Sequence, residues 1–127
     1  MTDETELATI EVGDGPAVLW VHGYTMSAAI WAPLWERLPG FRHIGVDLPG
    51  HGRSPAMAVG TTRASMAGQL NAVARAHGAE RLVALSMSTL VAFEALIAGD
   101  HPFTMAELAA EIGAGAVTHR AVAARAG

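Results

Sequence analysis

From residue 7 onward, apolar positions fall in short runs separated by polar or glycine-rich breaks. Residues 7–12 alternate weakly and meet Gly13-Asp14-Gly15-Pro16, which predicts a short edge strand and a hairpin-like turn. Ala17–Val21 is continuously apolar, as a strand covered on both faces requires, and His22-Gly23-Tyr24-Thr25 closes it. Ile30, Trp31, Leu34, Trp35 and Leu38 then follow a helical period. Pro33 is tolerated only in a first turn, so this helix is expected to start near Ile30 and to end before Pro39. Residues 42–47 read as the next strand. Residues 48–55 are too rich in glycine and proline to be anything but loop. Thr61 or Thr62 can cap a helix with Met66, Leu70, Val73, Ala74 and His77 on one face, and Gly78 stops it. Arg81–Leu85 is the third clear strand. The helix after it is apolar nearly all round as far as Ile97, which predicts burial on several sides. Trp31, Trp35 and Phe93 are assigned to the core. Beyond Gly99, Thr104-Met105-Ala106-Glu107 has the form of a capping box opening a short helix with Leu108 and Ile112. Gly113 and Gly115 interrupt it, and a second alanine-rich helical stretch is expected up to Gly127.

Three strands alternating with helices at this spacing predict an α/β fold: part of a doubly wound, mostly parallel sheet, finished by a helical C-terminal tail. The organisation expected is a main unit over residues 1–99 and a tail over 100–127. In such sheets ligands lie outside the carboxyl ends of the strands. Those ends are residues 22–25, residues 47–54 and Ser86. Ser86 stands where the third strand hands over to its helix, between the small residues Ala84 and Ser88. A serine on a sharp strand-to-helix turn is lifted clear of the sheet, and the first turn of the helix points N–H groups at whatever it attacks. Ser86 is therefore the candidate nucleophile.

Composition narrows the alternatives. Hydrophobic residues make up 51% of the 127-residue chain and charged residues 16%, yet no apolar run reaches the roughly 18 residues of a membrane span. The N-terminus is acidic (Asp3, Glu4, Glu6), unlike a secretory signal, so a cytoplasmic address is expected. The net charge of −4 owes most to those three residues, which leaves no electrostatic grip for nucleic acid or a membrane surface. Cysteine is absent, removing disulfides, thiolate chemistry and cysteine-bound zinc. The six histidines lack the i, i+4 spacing of a helical zinc site. No metal or cofactor is expected. Gly113-Ala114-Gly115 falls short of a dinucleotide-binding glycine pattern.

Four segments together resemble the α/β-hydrolase superfamily over residues 7–97. They are the strand ending in His22-Gly23, the helix with Trp31, the run Asp47-Leu48-Pro49-Gly50-His51-Gly52-Arg53-Ser54, and the elbow Ala84-Leu85-Ser86-Met87-Ser88. The elbow departs from Gly-x-Ser-x-Gly at both glycines. Ser88 in the second position is similar to the branch holding the plant butenolide-hormone receptors and related bacterial hydrolases, and a serine nucleophile speaks against the haloalkane dehalogenase and epoxide hydrolase branches. The resemblance implies a serine hydrolase that acts on a small-molecule ester, lactone or thioester through an acyl-enzyme on Ser86. The backbone N–H groups of Tyr24 and Met87 would form its oxyanion hole. His22, Gly23, Asp47 and His51 would be structural residues of the site rim.

A serine hydroxyl needs a base, and the base needs an orienting partner. Asp100 and His101 follow a helix of about twelve residues, which places them some 18 Å below the elbow. His119 lies on a segment the pattern does not place. Two readings follow. In the first, the chain is a truncated or frame-altered hydrolase. In the second, it is a non-catalytic binding or assembly module that pairs through an exposed sheet edge, since the strand ending at Ser86 is expected to lack its next neighbour and to promote self-association.

Overall fold

The computed structural model describes residues 6–109 and 118–121. Their elements are β1 (Thr9–Val12), β2 (Ala17–Val21), a 3-10 turn (Ala28–Trp31) running into α1 (Ala32–Glu36), β3 (Arg42–Val46), α2 (Arg63–His77), β4 (Arg81–Leu85), α3 (Ser88–Ile97), β5 (Met105–Ala109) and β6 (Thr118–Ala121). The strands form one sheet in the order β1-β3-β2-β4-β5-β6. Strands β3, β2, β4 and β5 are mutually parallel. β1 and β6 run antiparallel at the two margins. This is a mostly parallel α/β sheet.

Side-chain alternation sorts the core into two layers. Leu19 and Val21 of β2, Ile44 and Val46 of β3, and Leu82 and Ala84 of β4 point to the face covered by α2 and α3 and meet Leu70, Ala74, Val91 and Ala95. Val18, Trp20 and Leu85 point the other way, against Trp31 and Trp35. Those two indoles are buried, as the helical period anticipated. Pro33 sits in the first turn of α1, where its missing N–H removes no helical bond. Thr62 caps α2 through a reciprocal capping box with Ser65, and Gly78 ends it in the left-handed conformation. No helix among the described residues is long and apolar enough to cross a membrane.

Four expectations need correction. β1 does not form a hairpin with β2, because β3 lies between them; the glycine turn reverses the chain over the end of β3, where Arg42 N–H donates to the Pro16 carbonyl. The tail is not helical where it is described. Thr104 caps no helix: its hydroxyl donates to the Glu80 carbonyl, the N–H groups of Thr104 and Met105 reach the same oxygen, and the following residues pair with β4 from Arg81↔Met105 to Leu85↔Ala109. The reason is tertiary. β4 offers an open row of backbone groups, and Phe103 and Ala106, both fully buried, anchor the segment against it. It follows that the strand leading to Ser86 does have its next neighbour, and the edges of the sheet are β1 and β6. Last, α3 is not buried on several sides. It buries Ser88, Val91, Ala92 and Ala95 and leaves Leu90, Phe93 (44% exposed) and Ile97 (79%) on an open face. Ile112 and the 113–115 glycine segment lie outside the described residues.

Candidate active site

The sheet order locates a site before any side chain is considered. From β2 the chain crosses to β3 on one side, while from β4 it crosses to β5 on the other. The carboxyl ends of these two adjacent strands therefore diverge, and that crevice is where open α/β sheets hold ligands. Residues 22–25 leave one strand end and Ser86 leaves the other.

Ser86 lies on the turn between β4 and α3 with φ +57°. Among the described residues only two non-glycine positions have positive φ, Ser86 and Thr25 (+65°), one on each side of the crevice. An L-residue held in this region costs about 1–2 kcal/mol, so both strained positions of the described chain fall at the same place. Helix α3 starts two residues after Ser86, which leaves the Met87 N–H in the stretch where a helix has no acceptor of its own.

Gly23 permits the close approach of the two segments. A Cβ there would lie 3.3 Å from Ser86 Cβ, 3.3 Å from Met26 Sδ and 3.5 Å from the Leu85 carbonyl oxygen. A side chain there would be a tight fit, and Ser86 or Met26 would have to yield by a few tenths of an ångström.

His22 is fully buried. Its Nε2 accepts the Leu48 N–H at 3.0 Å, so its proton is on Nδ1 and is donated to the Gly23 carbonyl at 2.6 Å. The ring thus ties the β2 end to the loop after β3. Burial holds its pKa below the ordinary histidine value, a shift that the bond to Gly23 partly opposes. His51 works alike from the other side: Nε2 accepts the Thr25 N–H at 3.1 Å and Nδ1 donates to the Pro49 carbonyl at 3.0 Å. Its ring centroid lies 5.0 Å from that of His22. Asp47, also buried, accepts the Ala28 N–H at 2.8 Å and the Arg53 N–H at 3.1 Å. Gly52, at φ +52°, lies so near that a Cβ would fall 2.4 Å from the carboxylate. All three polar groups are engaged with backbone.

A groove of about 410 Å³ opens beside this rim, lined by Tyr24, Thr25, Met26, Pro49, His51 and Met57 among others. A larger cavity of about 480 Å³, between α2 and residues 55–61, reaches the rim only at Pro49 and is not lined by Ser86 or residues 22–25. Among the described residues, no histidine or carboxylate is hydrogen-bonded to the Ser86 hydroxyl. Asp100 lies beyond the far end of α3, where its carbonyl accepts from Arg75. His101 Nδ1 accepts the Phe103 N–H. His119 falls on β6, in register with Leu108 of β5. The residue pattern points to the strand ends at 22–25, 47–54 and Ser86 but not to the hydroxyl of Ser88, which is fully buried and hydrogen-bonded beneath the crevice.

Comparison with known proteins bears on the same residues. The family model described as alpha/beta hydrolase fold matches residues 16–108. A pimeloyl-[acyl-carrier protein] methyl ester esterase of Methylococcus capsulatus is 39% identical over 85 residues, 65% of this chain and 32% of that protein. The 2-succinyl-6-hydroxy-2,4-cyclohexadiene-1-carboxylate synthase of Serratia proteamaculans is 35% identical over 81 residues, 62% of this chain and 31% of that one. The chain thus spans about a third of the length of these relatives in the matched region. A thermophilic esterase from Thermogutta terrifontis superposes with a TM-score of 0.67 at 33% identity, covering 75% of this chain and 37% of the other. The matched span runs from β2 into β5 and takes in both strand ends and the strained serine between β4 and α3, so the chain belongs to the α/β-hydrolase fold family.

Proposed function

We propose that this chain carries the nucleophile and oxyanion-binding half of a serine hydrolase acting on an ester, lactone or thioester. Ser86 Oγ attacks the acyl carbon, its proton passes to a base, and the leaving group departs from a tetrahedral intermediate to give an acyl-enzyme. The N–H groups of Tyr24 and Met87 meet the oxyanion. Donors of this kind are worth about 3–4 kcal/mol each, because they face charge that develops only in the transition state. The observation that carries the reading is the pairing of the two strained residues, Ser86 and Thr25, across a crevice kept narrow by Gly23. The relative that hydrolyses a methyl ester of an acyl group on a carrier protein makes small acyl esters the first substrates to try. The base and its orienting acid come, in this reading, from polypeptide outside the described residues.

The test is labelling of the full chain with a fluorophosphonate, which reacts with an activated serine. Labelling that disappears in Ser86→Ala supports the reading; labelling that persists in that variant overturns the assignment of Ser86. A folded sample that takes no label favours the second reading, a non-catalytic module. That reading has its own observation: the open apolar face of α3, with Leu90, Phe93 and Ile97, which begins beside the elbow at the exposed Met87.

A further inference from the structure

We infer that Ser88 is a positioning residue that sets the separation between the two halves of the oxyanion hole; the inference rests on the reading of Ser86, Met87 and Tyr24 given above. Ser88 opens α3 and is 0% exposed, so its hydroxyl is neither a nucleophile nor a substrate contact. It accepts the Leu85 N–H at 3.0 Å. Its own proton faces two carbonyls, Leu85 at 2.8 Å and Val21 at 3.2 Å.

Those partners are the last residues of two neighbouring strands. The ladder between β2 and β4 ends at Val21↔Ala84, and the hydroxyl stands where the strands begin to part. Val21 directly precedes His22-Gly23-Tyr24, and Leu85 directly precedes Ser86-Met87. One oxygen atom therefore spans the roots of both segments that supply oxyanion donors. The usual glycine of a Gly-x-Ser-x-Gly elbow could not do this, because it has no side chain to carry a polar atom. Ser88 adds a hydrogen-bonded spacer between buried backbone groups of the two strands. An apolar side chain at this position could make none of these hydrogen bonds.

The consequence is for alignment, not affinity. A donor displaced by a fraction of an ångström from the developing oxyanion loses most of its effect on the chemical step while leaving ground-state binding intact. Two variants of the full chain, Ser88→Ala and Ser88→Gly, separate this role from simple support. In each, the maximal rate of Ser86 phosphonylation at saturating fluorophosphonate is expected to fall roughly 10- to 100-fold, with the half-saturating concentration unchanged. In 15N-labelled protein, the Leu85 amide should exchange faster, and the amide shifts that change should be those of residues 21–25 and 85–87. Either variant suffices should the other fold poorly. An unchanged maximal rate, or Tyr24 and Met87 amides that stay where they were, overturns the inference. If the wild-type chain takes no label, the nucleophile assignment fails by itself, and the amide shifts still decide whether Ser88 holds the two strand ends together.

Discussion

Ser86 is held in a backbone conformation that an unconstrained serine avoids. Its replacement by glycine removes that strain, partly offset by the greater chain entropy of glycine. We expect Ser86→Gly to raise the urea midpoint by the equivalent of about 0.5–1 kcal/mol while abolishing labelling; a lower midpoint would show that the serine side chain is itself stabilising. Gly52→Ala should do the reverse. It adds a methyl group in a left-handed position 2.4 Å from the Asp47 carboxylate and should cost about 2–4 kcal/mol, read as a fall in thermal midpoint. His22 supplies the pH dependence. Burial holds its folded pKa below the ordinary value, so the unfolded chain takes up the proton more readily. Its stabilising contribution is complete above about pH 6.5 and is lost as the pH falls from there towards the folded value. The urea midpoint should therefore drop between pH 7.5 and 5.5, and drop less in His22→Gln. An equal drop in both proteins would assign the effect to other groups. These residues were legible in the chain because His22-Gly23, the 47–54 run and the elbow each combine an uncommon residue set with a strand end. Ser88 was legible only as a small residue. Its hydrogen bonds depend on Val21, which lies 67 positions away, and no local pattern reports such a distance.

At the scale of elements, the central strands and the limits of α2 follow from pattern, because a run buried on both faces, and a helical period between the Thr61/Thr62 pair and Gly78, leave few alternatives; Ser65, which makes Thr62 the cap, is seen only in the structure. The segment from Met105 to Ala109 does not follow from pattern. Thr104 and Glu107 have the spacing of a helix start, and alanines favour a helix, yet the open side of β4 and the burial of Phe103 and Ala106 decide for a strand. The strand assignment makes a definite expectation. Phe103→Ala should destabilise the chain by about 3–5 kcal/mol and should open the β4–β5 amides to hydrogen exchange ahead of those between β2 and β3. Equal loss of protection across the sheet would mean that β5 is not an independent addition to it. The open face of α3 departs from its pattern for the complementary reason: apolar sequence all round a helix reports what the helix would prefer to touch, not what is there to touch it. Charged substitutions at Phe93 and Ile97 should leave the thermal midpoint almost unchanged, within about 0.5 kcal/mol in stability terms, and should lower any self-association seen by light scattering.

For the molecule as a whole, the fold was legible because alternation of strand and helix restricts a chain of this length to few topologies. The candidate site was legible only in part, since the proposed nucleophile and oxyanion donors are local features, whereas a base is brought in by whichever distant segment folds beside them. The strand order sharpens that division. Both arms of the crevice are emitted by β2 and β4, the two strands on either side of the point where the winding reverses, and each has a further parallel neighbour on its outer side. The marginal strands β1 and β6 contribute no residue to the pairing of Ser86 with Gly23. Losses or grafts at either border of the sheet should accordingly alter how firmly the protein stands without altering the approach of Gly23 to Ser86.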